Sequence, residues 1–252
     1  MRKILRPLRR LGAGKVSWGE LQELGVAAPF GEWGEQRVLV VFAHPDDEAF
    51  CSGLVATLAG LGAEVRFLCM TRGEGGDLGD VSREEIGRVR DGELWAAAEV
   101  LGVSSVGYLG YVDPLSSGGK PVAPAHDGDE LAVKIRQAVL EWEATVVVTH
   151  GSGGEYWHPA HVCLHDSVRR VAGTTPVHLV TMNAWNPDHP LGGILNRDDS
   201  PDFRVDGEAV FEKRLKALEA HVTQRGVFER FCGGTLEDFV RATGRESYRR
   251  VR

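Results

Sequence analysis

His44-Pro45-Asp46-Asp47-Glu48 sets one imidazole and three carboxylates within five consecutive residues. A second group follows a hundred residues later, in Tyr156-Trp157-His158-Pro159-Ala160-His161. Acids at a helix start are favoured by the helix dipole, which accounts for one or two carboxylates but not for a histidine beside three of them. These side chains suit a hydrolytic metal centre, in which three N/O ligands hold the ion and one position stays open for water. His44 and Asp47, three apart around a turn, can face one ion, and His161 supplies a third ligand. Two imidazoles and a carboxylate without thiolate fit Zn2+, with Fe2+, Co2+ or Mn2+ also compatible. Asp46 remains as a general base beside the ion. His158 stands where a proton donor is needed, and the Tyr156 hydroxyl can polarise a carbonyl.

Residues this far apart need a scaffold that brings two loops together. Five apolar, β-branched runs read as strands: Val38–Phe42, Val65–Met70, Val106–Leu109, Thr145–Thr149 and Val177–Met182. Helical periodicity fills the gaps. It appears at Phe50, Leu54, Leu58 and Leu61, then from a Ser82-x-x-Glu85 capping box to Leu101. It returns at Leu131, Ile135, Val139 and Trp142, after Pro159, and over Val210–His221. This alternation predicts an α/β, three-layer Rossmann-like fold, with a mainly parallel sheet and helices on both faces. In the order 3-2-1-4-5, strands 1 and 4 are neighbours at the topological switch point, where ligands bind outside the carboxyl ends of strands. The two clusters follow those two strands. The first turn has no glycine before Gly53, which argues against dinucleotide binding there.

Composition narrows the partners. The 252 residues carry 36 Asp+Glu against 29 Lys+Arg, a net charge of −7, unlike an obligate nucleic-acid binder. No apolar run approaches the roughly 18–20 residues that cross a bilayer. Four widely spaced cysteines without a C-x-x-C pair read as reduced thiols in a cytoplasmic protein. The basic start MRKILRPLRR reads as a surface extension within residues 1–36, and the C-terminal RESYRRVR as a solvated end. With no repeat or composition break, residues 1–252 read as one domain, with a helix and tail over 225–252. A homo-oligomer is compatible with the sequence.

The chain resembles the LmbE/PIG-L family of zinc-dependent N-acetylglucosaminyl deacetylases, whose hallmarks are (A)HPDDE and a later (Y)-x-HPDH. The first motif is complete at Ala43–Glu48. Further matches are Thr71–Gly76, Arg90–Gly102, the LGYVDP of residues 109–114 and His221-x-x-Gln224, so the resemblance spans about residues 37–224. It implies metal ligands His44, Asp47 and His161, a general base at Asp46, and assistance from His158 and Tyr156. It also implies sugar contacts from Glu74, Arg90 and Asp113, and a small amino-sugar substrate that loses its N-acetyl group. One departure stands out: Ala160 replaces the Asp of HPDH. The displaced carboxylate would orient or charge the neighbouring histidine, and Glu155 and Asp166 are the candidates to replace it. Two alternatives follow: a metal hydrolase of another amide or ester, or a sugar-binding homologue impaired by Ala160.

Other groups have plainer readings. His158, His161 and His165 could line one helix face, but that site leaves the HPDD cluster unexplained. His150 reads as a satisfied loop histidine, the NPDHP of residues 186–190 as a turn, and Trp95, Trp142 and Trp185 as core packing. The Gly-rich TRGEGGDLGD loop reads as a sugar-hydroxyl contact, because its acids would repel a phosphate.

Overall fold

A computed structural model describes residues 33–251 of the chain; the expectation for the basic N-terminal stretch lies outside them, apart from its last few residues. Strands β1 (Arg37–Phe42), β2 (Glu64–Cys69), β3 (Ser105–Tyr108), β4 (Val146–Thr149) and β5 (His178–Met182) form the parallel part of one sheet. Each lies within a residue or so of its apolar run. Strands β6 (Phe203–Asp206) and β7 (Arg245–Arg250) extend it antiparallel, in the order β3-β2-β1-β4-β5-β7-β6. The expected order of the first five therefore holds, and Val41 pairs with Thr149 across β1 and β4.

Alternation along β1 explains the layers. Val38, Val40 and Phe42 join one core with helices α1 (Ser52–Gly60), α2 (Ile86–Leu101) and α5 (Phe211–Glu219). Leu39, Val41 and Ala43 join a second core on the other face, with α3 (Gly128–Glu141) and α4 (Pro159–Ala172). A strand buried on both faces must be apolar at every position, as the RVLVVF of β1 nearly is. Two short helices, α6 (Arg225–Cys232) and α7 (Leu236–Ala242), precede β7.

Three expectations need correction. The C-terminal segment is not a solvated end throughout: Arg245–Arg250 form a strand in which Glu246, Ser247 and Tyr248 are buried. Glu246 accepts the N–H groups of Gly53 and Leu54 at the start of α1 (2.6 and 2.8 Å) and the Tyr248 hydroxyl (2.6 Å), so its charge is spent inside. α2 begins at Ile86 rather than Ser82, whose hydroxyl is used by the Glu85 side chain instead of the backbone. Trp95 lies on the exposed face of α2, while Trp142 and Trp185 are half-buried against the cores. No helix among the described residues is long and apolar enough to cross a membrane.

Candidate active site

Strand β1 ends at Phe42, and the chain turns through His44–Asp47 before a short 3-10 turn leads into α1. Asp46 occupies this turn with φ 109° and ψ −21°, a left-handed conformation rare for a residue with a side chain. Asp47 closes the turn by accepting the His44 N–H on Oδ2 (2.8 Å). Beyond β4, the loop reverses through Glu155 (φ 47°, ψ −160°) and reaches Pro159, the first residue of α4. Proline suits that position because its missing N–H would be unpaired there anyway.

The pairing of β1 with β4 brings these loops together. His44 Nδ1 lies 3.3 Å from Asp47 Oδ2, and His161 Nε2 lies 3.3 Å from Asp47 Oδ1. The His44 ring is 4.8 Å from that of His158 and 5.4 Å from that of His161. Among the described residues, two overlapping groups have ligand atoms within 4.8 Å of one another: His44, His158 and His161, and Asp47, His150 and His161. His150 is less able to ligate, because its Nε2 accepts the Ala43 N–H (3.1 Å) and its Nδ1 donates to Glu155 (2.7 Å). It is thus a satisfied buried histidine. His165 turns its Nδ1 to the His150 carbonyl (3.0 Å) and belongs to neither group, so the three-histidine helix face does not form.

The donor set fits a divalent cation. His161 Nδ1 donates to Glu155 Oε2 (2.9 Å), leaving a buried Nε2 with no hydrogen-bond partner beside Asp47. His44 is held on its far side by Asp113, 3.3 Å from Nε2. A carboxylate behind each imidazole is the arrangement that orients metal-binding histidines. Burial disfavours the His44 imidazolium, yet Asp113 and Asp47 outweigh it and raise the pKa to about 10. His161 is likewise opposed by burial and raised to about 9 by Asp47 and Glu155. Burial would raise the Asp47 carboxyl, but His161 and His44 hold it well below its ordinary value. A cation would take the place of the protons these anions attract.

The other expected residues surround this cluster. Burial pushes the Asp46 carboxyl up to about 6, against the pull of Arg90, whose guanidinium is 3.1 Å from Oδ2. Arg90 is itself buried and also donates to the carbonyls of Gly73 (2.8 Å) and Pro45. Asp113 Oδ2 accepts the Gly75 N–H (3.2 Å), and Glu74 accepts the Asp113 N–H (2.9 Å). The glycine loop is therefore pressed against Arg90 and Asp113: a Cβ on Gly73 would stand 2.1 Å from the guanidinium, and one on Gly75 2.1 Å from the Pro114 carbonyl. Tyr156 is partly exposed, its ring 5.6 Å from His161 and 5.3 Å from Phe231.

Ala160 is fully buried in the second core, and His158 Nδ1 is buried without a partner. Neither proposed substitute reaches it, since Glu155 serves His150 and His161 while Asp166 is exposed. Burial, then the neighbouring His161 and His44, lower the His158 pKa to about 3. The NPDHP segment is a turn, in which His189 Nδ1 accepts the Leu191 N–H (3.0 Å). Asn196 was not singled out in the sequence. Its amide bridges the Gly153 N–H (2.9 Å), Glu155 (3.2 Å) and the Met182 carbonyl (3.1 Å).

Residues 39–172 match the PIG-L family, described as GlcNAc-PI de-N-acetylase. The chain belongs to this family. Membership makes it an amidohydrolase of the deacetylase type. A relative from Kineococcus radiotolerans, named 1D-myo-inositol 2-acetamido-2-deoxy-alpha-D-glucopyranoside deacetylase, is 31% identical over 248 residues, covering 75% of this chain and 69% of the relative. Among solved structures, the N,N'-diacetylchitobiose deacetylase of Pyrococcus horikoshii aligns with a TM-score of 0.60 at 18% identity, over 86% of this chain and 84% of that one. A 4-carboxy-2-hydroxymuconate hydratase from Pseudomonas putida aligns with a TM-score of 0.63 at 19% identity, over 86% and 96%. The fold alone thus carries more than one chemistry, and it is the family match that gives the class of reaction.

Proposed function

We propose that the chain hydrolyses the acetamide of an N-acetylglucosamine-type substrate, releasing acetate and the free amino sugar. The observation that carries this reading is the convergence of His44, Asp47 and His161 beside Asp46, at the carboxyl ends of β1 and β4. His44, Asp47 and His161 would hold the metal, zinc by the chemistry of the donors. When bound, it supplies Lewis acidity, polarising the acetyl carbonyl and lowering the pKa of water. Asp46 takes the proton of the attacking water, and its carboxyl, raised to about 6, is suited to return that proton to the departing amine. The Tyr156 hydroxyl and His158 would stabilise the developing oxyanion. Arg90 keeps Asp46 oriented, and Glu74 and Asp113 would supply contacts to the sugar.

The names of the relatives support a glucosaminide linked to inositol as the first substrate to test. The proposal includes a reducing, cytoplasmic setting, supported by four unpaired cysteines. The test is amine release from a panel of N-acetylglucosaminides by the wild type and by Asp46→Asn, both with metal content measured. General-base loss lowers kcat by roughly 10²–10⁴-fold while metal stays bound. Unchanged turnover in metal-replete Asp46→Asn overturns the base assignment. A wild type that binds these glycosides but releases no amine supports the binding-only alternative.

A further inference from the structure

Glu48 and His221 are both fully buried and paired with each other, and the reaction above uses neither. Glu48 spends one carboxylate oxygen on His221 Nε2 and the other on the backbone N–H of Asp46 (3.0 Å). Asp46 is a non-glycine residue at φ 109°. Such conformations persist where the surroundings over-determine them, and they cluster at functional sites.

His221 lies beyond the family match, at the end of α5, and is itself tied down. Its N–H donates to the Leu218 carbonyl (3.1 Å), and its carbonyl accepts from Gln224 (3.1 Å). The adjacent Thr223 gives both its N–H and its hydroxyl to Glu93 of α2 (2.8 and 2.7 Å). One distant segment of the chain thus reaches the Asp46 backbone through Glu48, while Arg90 grips the Asp46 side chain.

We propose that Glu48 and His221 are positioning residues that hold the Asp46 turn in its left-handed conformation, so that its carboxylate stays aimed at the reacting water. This rests on Asp46 being the general base. A misplacement of about 1 Å in a reacting group costs on the order of 10²-fold in rate, so freeing the turn acts on kcat.

The test is a double-mutant cycle on metal-replete protein. His221→Ala lowers kcat about 10–100-fold, with KM and metal content within about twofold of the wild type. In the Asp46→Asn background the same change alters the residual rate less than about twofold, because the carboxylate it positions is gone. Glu48→Gln retains most activity, since its amide oxygen accepts the Asp46 N–H and its NH2 donates to His221 Nε2 once that imidazole carries its proton on Nδ1. Should His221→Ala fail to fold, the paired replacement Glu48→Met/His221→Phe removes the tether while keeping the volume and leaving no buried charge. It shows the same loss of kcat. Equal losses from His221→Ala in both backgrounds, or a paired variant with wild-type kcat, overturn the proposal. Full turnover by Asp46→Asn alone overturns the base assignment instead, and the positioning role with it.

Discussion

Replacing Glu155 by alanine and, separately, by glycine distinguishes what its carboxylate does from what its backbone stores. The carboxylate accepts from His150 Nδ1 (2.7 Å), His161 Nδ1 (2.9 Å), the Gly151 N–H (3.1 Å) and the Asn196 amide (3.2 Å). Both variants strip two buried imidazole donors of their acceptor, at about 1–3 kcal/mol each. They differ in the backbone. At φ 47° and ψ −160° alanine keeps a strain of about 1–3 kcal/mol that glycine releases. Glycine's greater freedom in the unfolded chain takes back up to about 1 kcal/mol. Glu155→Gly should therefore be more stable than Glu155→Ala by about 1–2 kcal/mol, and melt about 2–8 °C higher for a domain of this size. Metal affinity should fall about 10–100-fold in both, because the group that fixes the His161 tautomer is lost in both. Thermal melts followed by circular dichroism and a chelator-competition titration measure the two effects separately. Equal melting temperatures would refute the stored strain, and wild-type metal affinity would refute support through His161.

Three further outcomes follow from the contacts around the site. Arg90→Leu leaves the Asp46 carboxylate without its cation, and should cost about 3–5 kcal/mol in denaturant unfolding; a loss below about 1 kcal/mol would mean that the pair does not hold the turn. Gly75→Ala drives a Cβ against the Pro114 carbonyl and should destabilise by about 1–3 kcal/mol, which a thermal melt with no shift would contradict. Tyr248→Phe removes one donor to Glu246 and should cost about 1–2 kcal/mol in the same denaturant assay; no change would mean that the hydroxyl does not help to hold Glu246.

β1 and β4 were legible because a strand buried on both faces leaves a continuous apolar run. β7 was not, because RESYRR reads as charge until Glu246 is seen to meet N–H groups nearly two hundred residues away. The same distinction runs through the site. His44, Asp46 and Asp47 share one turn, and His158 and His161 share one helix start, so local spacing displayed them. Arg90 on Asp46, Glu155 on His161 and His221 on Glu48 are pairs, and in the first and last the partners are 44 and 173 residues apart. No local pattern announces such partners. Trp95 misled for the converse reason: an aromatic within a helical apolar pattern still occupies the outer face of α2.

The most direct test of the central claim couples metal stoichiometry to amine release. Protein stripped with a chelator is titrated with Zn2+ while free amine is measured from an N-acetylglucosaminide, with His161→Ala alongside. The account predicts activity that rises in proportion to bound metal and saturates at about one ion per chain, with His161→Ala retaining little of either. Full turnover in stripped protein would contradict it.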